Sequence, residues 1–153
     1  MARNLYRRLS ASLSPESPPE TTLLRAYYER YSSVEEGARQ PALLPQVYLH
    51  YDPRTRRERG GEPSVLMRER MDFLLLLPRG VRIVLEVDGK QHYAEGDTAS
   101  PKLYSDMVAE DRRLRLRGYE VYRFGGYELD AAGAADMLRE FFSELLALHA
   151  EGT

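Results

Sequence analysis

Residues 69–90, ERMDFLLLLPRGVRIVLEVDGK, constrain the fold more than any other stretch of the chain. Two apolar runs flank Pro78-Arg79-Gly80, so the chain folds back on itself as an antiparallel hairpin. A three-residue loop pairs Leu77 with Val81, and counting outward from that pair sets Asp72 directly opposite Glu86. Side chains alternate between the two faces of a strand. The odd positions, Met71, Phe73, Leu75 and Leu77 across from Val81, Ile83, Leu85 and Val87, therefore form one apolar face, which is core. The even positions carry Leu74 and Leu76 near the turn, and Asp72, Glu86 and Asp88 at the far end.

That far end is costly. Directly opposed residues have Cβ atoms about 5 Å apart and like charges there destabilise; diagonal neighbours such as Asp72 and Asp88 are about 7–8 Å apart. At an effective dielectric of about 20, each such carboxylate pair costs roughly 2–3 kcal/mol. A divalent cation removes the penalty, and oxygen-only donors suit Mg²⁺ or Mn²⁺ better than zinc. The competing reading is a solvated strand end whose acids are offset by Arg68, Arg70 and Arg82. The segment VLEVDGKQHY then adds Lys90 and His92 on the side of the acids. Lys90 lies about 7 Å beyond Asp88, within reach of a nucleophile held there. His92 is a candidate general base only if Gly89 bends the strand back toward Glu86.

The remaining chain supplies a sheet's other parts. SPPETTLLRAYYERY predicts a helix with Glu20 in its first turn, where the macrodipole favours an acid. ALLPQVYLHYDP predicts a strand in which Val47, Leu49 and Tyr51 alternate with Gln46, Tyr48 and His50. DPRTRRERGGEPS reads as an arginine-rich loop, and YAEGDTASP as a mobile acidic one. KLYSDMVAEDRRLRLRG predicts a helix stopped by Gly118, YEVYRFG a fourth strand, and AADMLREFFSELLALH a last amphipathic helix. The order is α-β-β-β-α-β-α, an α/β fold with a mixed sheet flanked by helices. Residues 1–18 read as a flexible N-terminal arm and 19–149 as a single domain.

Composition narrows the chemistry. The 153 residues include no cysteine, which excludes disulfides, a thiol nucleophile and cysteine-ligated zinc. No apolar run approaches the ~18 residues of a membrane span, and the N-terminus has no apolar signal core, so a cytoplasmic protein without membrane association is expected. Absence of tryptophan fits poorly with sugar stacking and a two-carboxylate glycosidase.

An Asp on one strand followed by an acid-x-Lys strand resembles the PD-(D/E)xK nuclease superfamily. The longer pattern resembles its very-short-patch-repair-like branch. The pieces are Glu20 in ETTLLRAY, Gln46 in PQVYLHY, Asp72-Phe73, EVDGKQH, Asp111-Arg112 and GYEVYRF, in that order. Met71 stands where the signature has proline, and the acid-x-Lys frame reads two ways. Glu86-Val87-Asp88 lacks the lysine, whereas Asp88-Gly89-Lys90 supplies it; the hairpin register favours Glu86 because it faces Asp72.

The resemblance implies a restriction-endonuclease-like fold. It also implies a Mg²⁺ ion, with Mn²⁺ as a substitute, held by Asp72, Glu86 and the Val87 carbonyl, with Glu20 completing the site. Asp88, Lys90 and His92 would position or deprotonate water, and Arg112 and Arg123 would lie near the site or the phosphates. Arg54, Arg56, Arg57 and Arg59 in their Gly-flanked loop are the candidates for tracking phosphates. The expected function is metal-dependent endonucleolytic hydrolysis of nucleic acid, DNA ahead of RNA, in repair, restriction or phage defence. The chain would act as a homodimer or as a subunit of a larger system. The alternative is a catalytically silent nuclease-like module that binds nucleic acid or a partner protein.

Overall fold

The computed structural model describes residues 2–15, 17–33, 40–48, 70–89, 94–95 and 98–150. Lys90, His92, Arg54, Arg56, Arg57 and Arg59 lie outside them. The elements are α1 (Ala2–Ser10), α2 (Pro18–Ser33), β1 (Leu43–Tyr48), β2 (Arg70–Leu76), β3 (Arg82–Asp88), β4 (Ala94–Glu95), β5 (Thr98–Ala99), α3 (Pro101–Leu116), β6 (Tyr119–Gly125), α4 (Gly126–Leu129) and α5 (Ala134–Ala150). Among the described residues no helix is long and apolar enough to cross a membrane.

The hairpin has the expected register. Phe73 pairs with Leu85, Leu74 with Val84, Leu75 with Ile83 and Leu76 with Arg82. The loop is a single turn of 3-10 helix at Pro78–Gly80, closed by the Leu77 N–H donating to the Val81 carbonyl at 2.9 Å. Arg79 (φ 63°) and Gly80 (φ 78°) both take left-handed backbone to make the reversal in so few residues.

β1 adds antiparallel to β2, and β6 adds parallel to β3, giving a mixed sheet of order β1-β2-β3-β6. The parallel pairing needs a crossover, which α3 provides. Ser100 caps α3 by accepting from the Leu103 N–H, Pro101 occupies the first turn, and Gly118 (φ 82°) turns the chain out of the helix into β6.

Most of the odd face is core, as expected. Phe73, Leu75, Leu77, Ile83, Leu85 and Val87 are buried with Leu23, Leu24 and Tyr27 of α2 and with Leu138, Phe142 and Leu145 of α5. Tyr27 and Phe142 meet edge to face, ring centroids 4.8 Å apart. Met71 is a correction. It packs instead with Leu74, Val84, Val121 and Leu114 of α3, on the other side of the sheet. The β2–β3 ladder ends at Phe73↔Leu85, and the next β3 amide, that of Val87, donates to the Asp72 side chain. On β1 the regular pairs jump from Pro45↔Phe73 to Val47↔Met71 across Gln46, which has φ 55°. The two-residue alternation fails at this point.

Two further differences concern loops. Residues 2–10 are helical where a loose arm is expected, and Leu13 is 7% exposed within the core. Tyr6 stacks obliquely on Tyr28 of α2, centroids 5.5 Å apart. Within the expected acidic loop, β4 and β5 pair as a two-residue ladder.

Candidate functional site

The row of the sheet just beyond the last β2–β3 pair holds the site. Just past Phe73↔Leu85, where regular pairing stops, Asp72 lies close enough to Glu86 for its charge to act on that carboxyl, and Glu86 in turn pairs with Arg123 of β6. Gln46 of β1 falls level with Asp72. Four strands thus contribute Gln46, Asp72, Glu86 and Arg123 in one line.

α2 brings Glu20 to that line. Its N-terminal turn packs where β3 ends: a Cβ built on Gly126 would lie 3.3 Å from the Asp88 carbonyl oxygen and 3.7 Å from the Pro19 ring. A glycine at 126 lets α2, β3 and α4 approach this closely. Glu20 is 8% exposed, and its Oε2 accepts from Gln46 Nε2 at 2.8 Å. Asp72, 7% exposed, accepts from the Val87 N–H at 3.0 Å through Oδ2, while Arg70 stands 3.9 Å from its Oδ1. Glu20, Asp72, Glu86, Val87 and Arg123 all line one cleft of about 940 Å³.

The electrostatics follow from this crowding. Burial pushes the Glu86 carboxyl well above the usual range, the Asp72 charge adds to it and Asp88 adds less, with Arg123 opposing. Burial also raises Glu20, again reinforced by Asp72, against hydrogen bonds from Ser17 and Gln46 and the charge of Arg70. Arg123 is fastened from both sides. Its Nε and Nη2 donate to Asp111 Oδ1 at 2.8 and 2.7 Å, and its Nη1 donates to Asp88 Oδ1 at 2.6 Å. Burial would lower the guanidinium's pKa, but Asp111 and Asp88 together hold it above its ordinary value.

A divalent cation is tested by donor chemistry. Among the described residues no three acidic or histidine side chains already stand as a finished ion cluster. The donors present nevertheless fit a hard cation: three carboxylates on one cleft, two of them raised because burial and mutual repulsion disfavour their charge. Among the described cleft residues Met107 is the one sulfur and no histidine or cysteine stands there, so the charged donors are oxygens, which suit a hard cation.

Five of the expected site residues therefore converge: Glu20, Asp72, Glu86, Val87 and Arg123. Asp88 sits beside them, committed to Arg123. Arg112 is exposed and is not among the cleft residues, where Arg113 stands instead. Sequence reasoning missed Asp111 as the anchor of Arg123. It also missed the cleft-facing row Lys102, Asp106, Glu110 and Arg113 on α3. Their spacing of four, four and three residues was a readable sign of one helix face.

Compared with known proteins, the chain matches no family model, and neither the curated proteins nor the solved structures contain a match.

Proposed function

We propose that the protein is a metal-dependent endonuclease of the PD-(D/E)xK type, in its very-short-patch-repair-like branch. It hydrolyses phosphodiester bonds of nucleic acid, DNA ahead of RNA. The observation that carries this reading is that Asp72 and Glu86 meet at the end of a hairpin, near enough for one charge to act on the other, and both line the cleft that Glu20 enters from α2. An arrangement that places like charges together at a buried strand end costs stability, and a bound cation offsets that cost. The element order and mixed sheet support a restriction-endonuclease-like fold.

Asp72, Glu86 and the Val87 carbonyl would hold a Mg²⁺ or Mn²⁺ ion, with Glu20 alongside. Such an ion supplies Lewis acidity toward the scissile phosphate and makes water nucleophilic near neutral pH. The protein's own groups do the positioning. The Val87 amide fixes one Asp72 oxygen, and Gln46 fixes one Glu20 oxygen. Asp111 anchors Arg123 beside Glu86, where its charge offsets part of the acid cluster. Lys90 and His92 follow Gly89 in sequence and are assigned the handling of the attacking water. Water oxygen bonds to phosphorus, the phosphorus–oxygen bond to the leaving sugar breaks, and that oxygen takes up a proton. A cytoplasmic setting in repair, restriction or phage defence, as a homodimer or a subunit of a larger system, belongs to the same proposal.

The test is cleavage of end-labelled single- and double-stranded DNA and RNA in Mg²⁺, Mn²⁺ or EDTA, with Asp72→Asn and Glu86→Gln beside the parent. Cutting that needs the metal and disappears in both variants is the expected result. Salt-dependent binding without cutting, unchanged in both variants, would replace the enzyme with a silent binding module.

A further inference from the structure

One wall of the cleft is α3, and it carries a patterned charge. Lys102, Asp106, Glu110 and Arg113 all line the cleft. The two cations stand at the ends of the row and the two acids between them. Lys102 Nζ meets Asp106 Oδ2 at 2.6 Å, and Arg113 Nη2 meets Glu110 Oε1 at 2.6 Å. Both are pairs within one helix; Lys102–Asp106 is open to solvent and Arg113–Glu110 half-buried, so the first contributes little stability and both can be exchanged for a stronger anion. A phosphate oxygen is such an anion, doubly so for arginine, whose fork matches it. Lys102 and Arg113 are about three turns apart, roughly 16 Å along the helix axis. At about 3.4 Å per nucleotide of a helical strand, that distance spans roughly five phosphates.

We infer that the cleft face of α3 is the track along which one nucleic-acid strand lies, with Lys102 and Arg113 each taking a backbone phosphate. The strand between those contacts passes the acids of Asp72 and Glu86 on the sheet side of the same cleft. This rests on the nuclease reading for the identity of the ligand. It moves the phosphate contacts from the residues singled out by sequence to a pair on α3 that flanks the acidic stretch.

Binding separates the two ideas, because it is measured without turnover. The probe is a fluorescent DNA oligonucleotide, single-stranded or as a hairpin duplex, titrated in Ca²⁺ across a range of salt. The parent is compared with Lys102→Ala, Arg113→Gln and Arg115→Ala. Arg115 is an exposed residue of the same helix that does not line the cleft, so it controls for bulk charge. Lys102→Ala and Arg113→Gln are each expected to weaken binding roughly three- to tenfold and to lower the salt slope by about one, while Arg115→Ala changes neither. The Lys102 side chain is 78% exposed, so its variant folds and decides the matter even if Arg113→Gln does not. Equal weakening by Arg115→Ala, parent-like binding by Lys102→Ala, or no binding by the parent overturns the track. The expected binding pattern in a protein that cuts nothing would remove the nuclease reading and leave the track standing. Cutting at parental rate by Lys102→Ala on sub-saturating DNA would do the reverse.

Discussion

The Val87 amide reaches the Asp72 carboxylate at 3.0 Å, so that side chain is held where Glu86 must face it. Burial first, and the Asp72 charge second, make Glu86 keep its proton to a higher pH than it would in the unfolded chain. In the interval between its ordinary value of 4.5 and its raised folded value, the native state binds more protons than the unfolded state. Stability therefore falls as pH rises through that interval, and Glu20, raised for the same reasons, adds to the fall. In EDTA, chemical denaturation of the parent should show this decline above the carboxylate range. Glu86→Gln keeps the shape and removes the charge. It should flatten the decline and make the metal-free protein more stable at neutral pH, by on the order of 1 kcal/mol. A variant less stable than the parent at neutral pH would mean that the Arg123 contact outweighs the repulsion from Asp72.

At the scale of elements, Gly118 shows how one residue fixes the join between α3 and β6. It has φ 82°, and a Cβ there would stand 3.0 Å from Arg82 Nη2, which itself donates to the Arg117 carbonyl at 2.7 Å and stacks on Tyr119. Gly118→Ala should lower unfolding free energy by about 1–2 kcal/mol, from left-handed backbone strain. Its distance from the acids means that metal dependence of cleavage should be unchanged. Several features here were legible in sequence because they rest on local rules. Gly118 as a helix stop, Pro101 in a first turn and the Pro78-Arg79-Gly80 reversal all read from turn and cap chemistry. The hairpin register followed from the turn as far as Phe73↔Leu85, which brings Asp72 and Glu86 to the same end of the hairpin. Met71 was misplaced because an Asp72 side chain standing in for a ladder acceptor is a tertiary event with no period-two signature. α1 was missed for a related reason: its polar sequence gains order from Tyr6 and Leu9 packing against the core. Asp111 was visible as half of an Asp-Arg pair, but only the parallel β3–β6 pairing shows that Arg123, not Arg112, is its partner.

The whole molecule is a sheet with unlike sides. One side packs against α2 and α5, and on the other, among the described residues, α3 packs over part of the sheet and forms a wall of the cleft that holds the acids. Among the described residues five carboxylic and four basic side chains line that cleft, so with every one of these ionised they carry one net negative charge. One divalent cation turns that balance to one net positive charge, and the same event makes the site both less repulsive internally and attractive to a polyanion. Binding to the native state alone stabilises it by about 2.7 kcal/mol at a hundredfold excess over Kd. For a domain of this size that is roughly 5–10 °C in Tm. Protons compete for the same carboxylates, and Glu86 holds its proton unusually well. The Mg²⁺- or Mn²⁺-induced rise in Tm should therefore be small in the ordinary carboxylate range and grow toward neutral pH, opposite in sign to the trend in EDTA. Asp72→Asn and Glu86→Gln should each remove most of it, while Gly118→Ala should lower the baseline Tm and keep the increment. A cation-induced rise that survives in both acid variants would place the ion away from the hairpin and leave the opposed carboxylates without the counter-charge that justifies them.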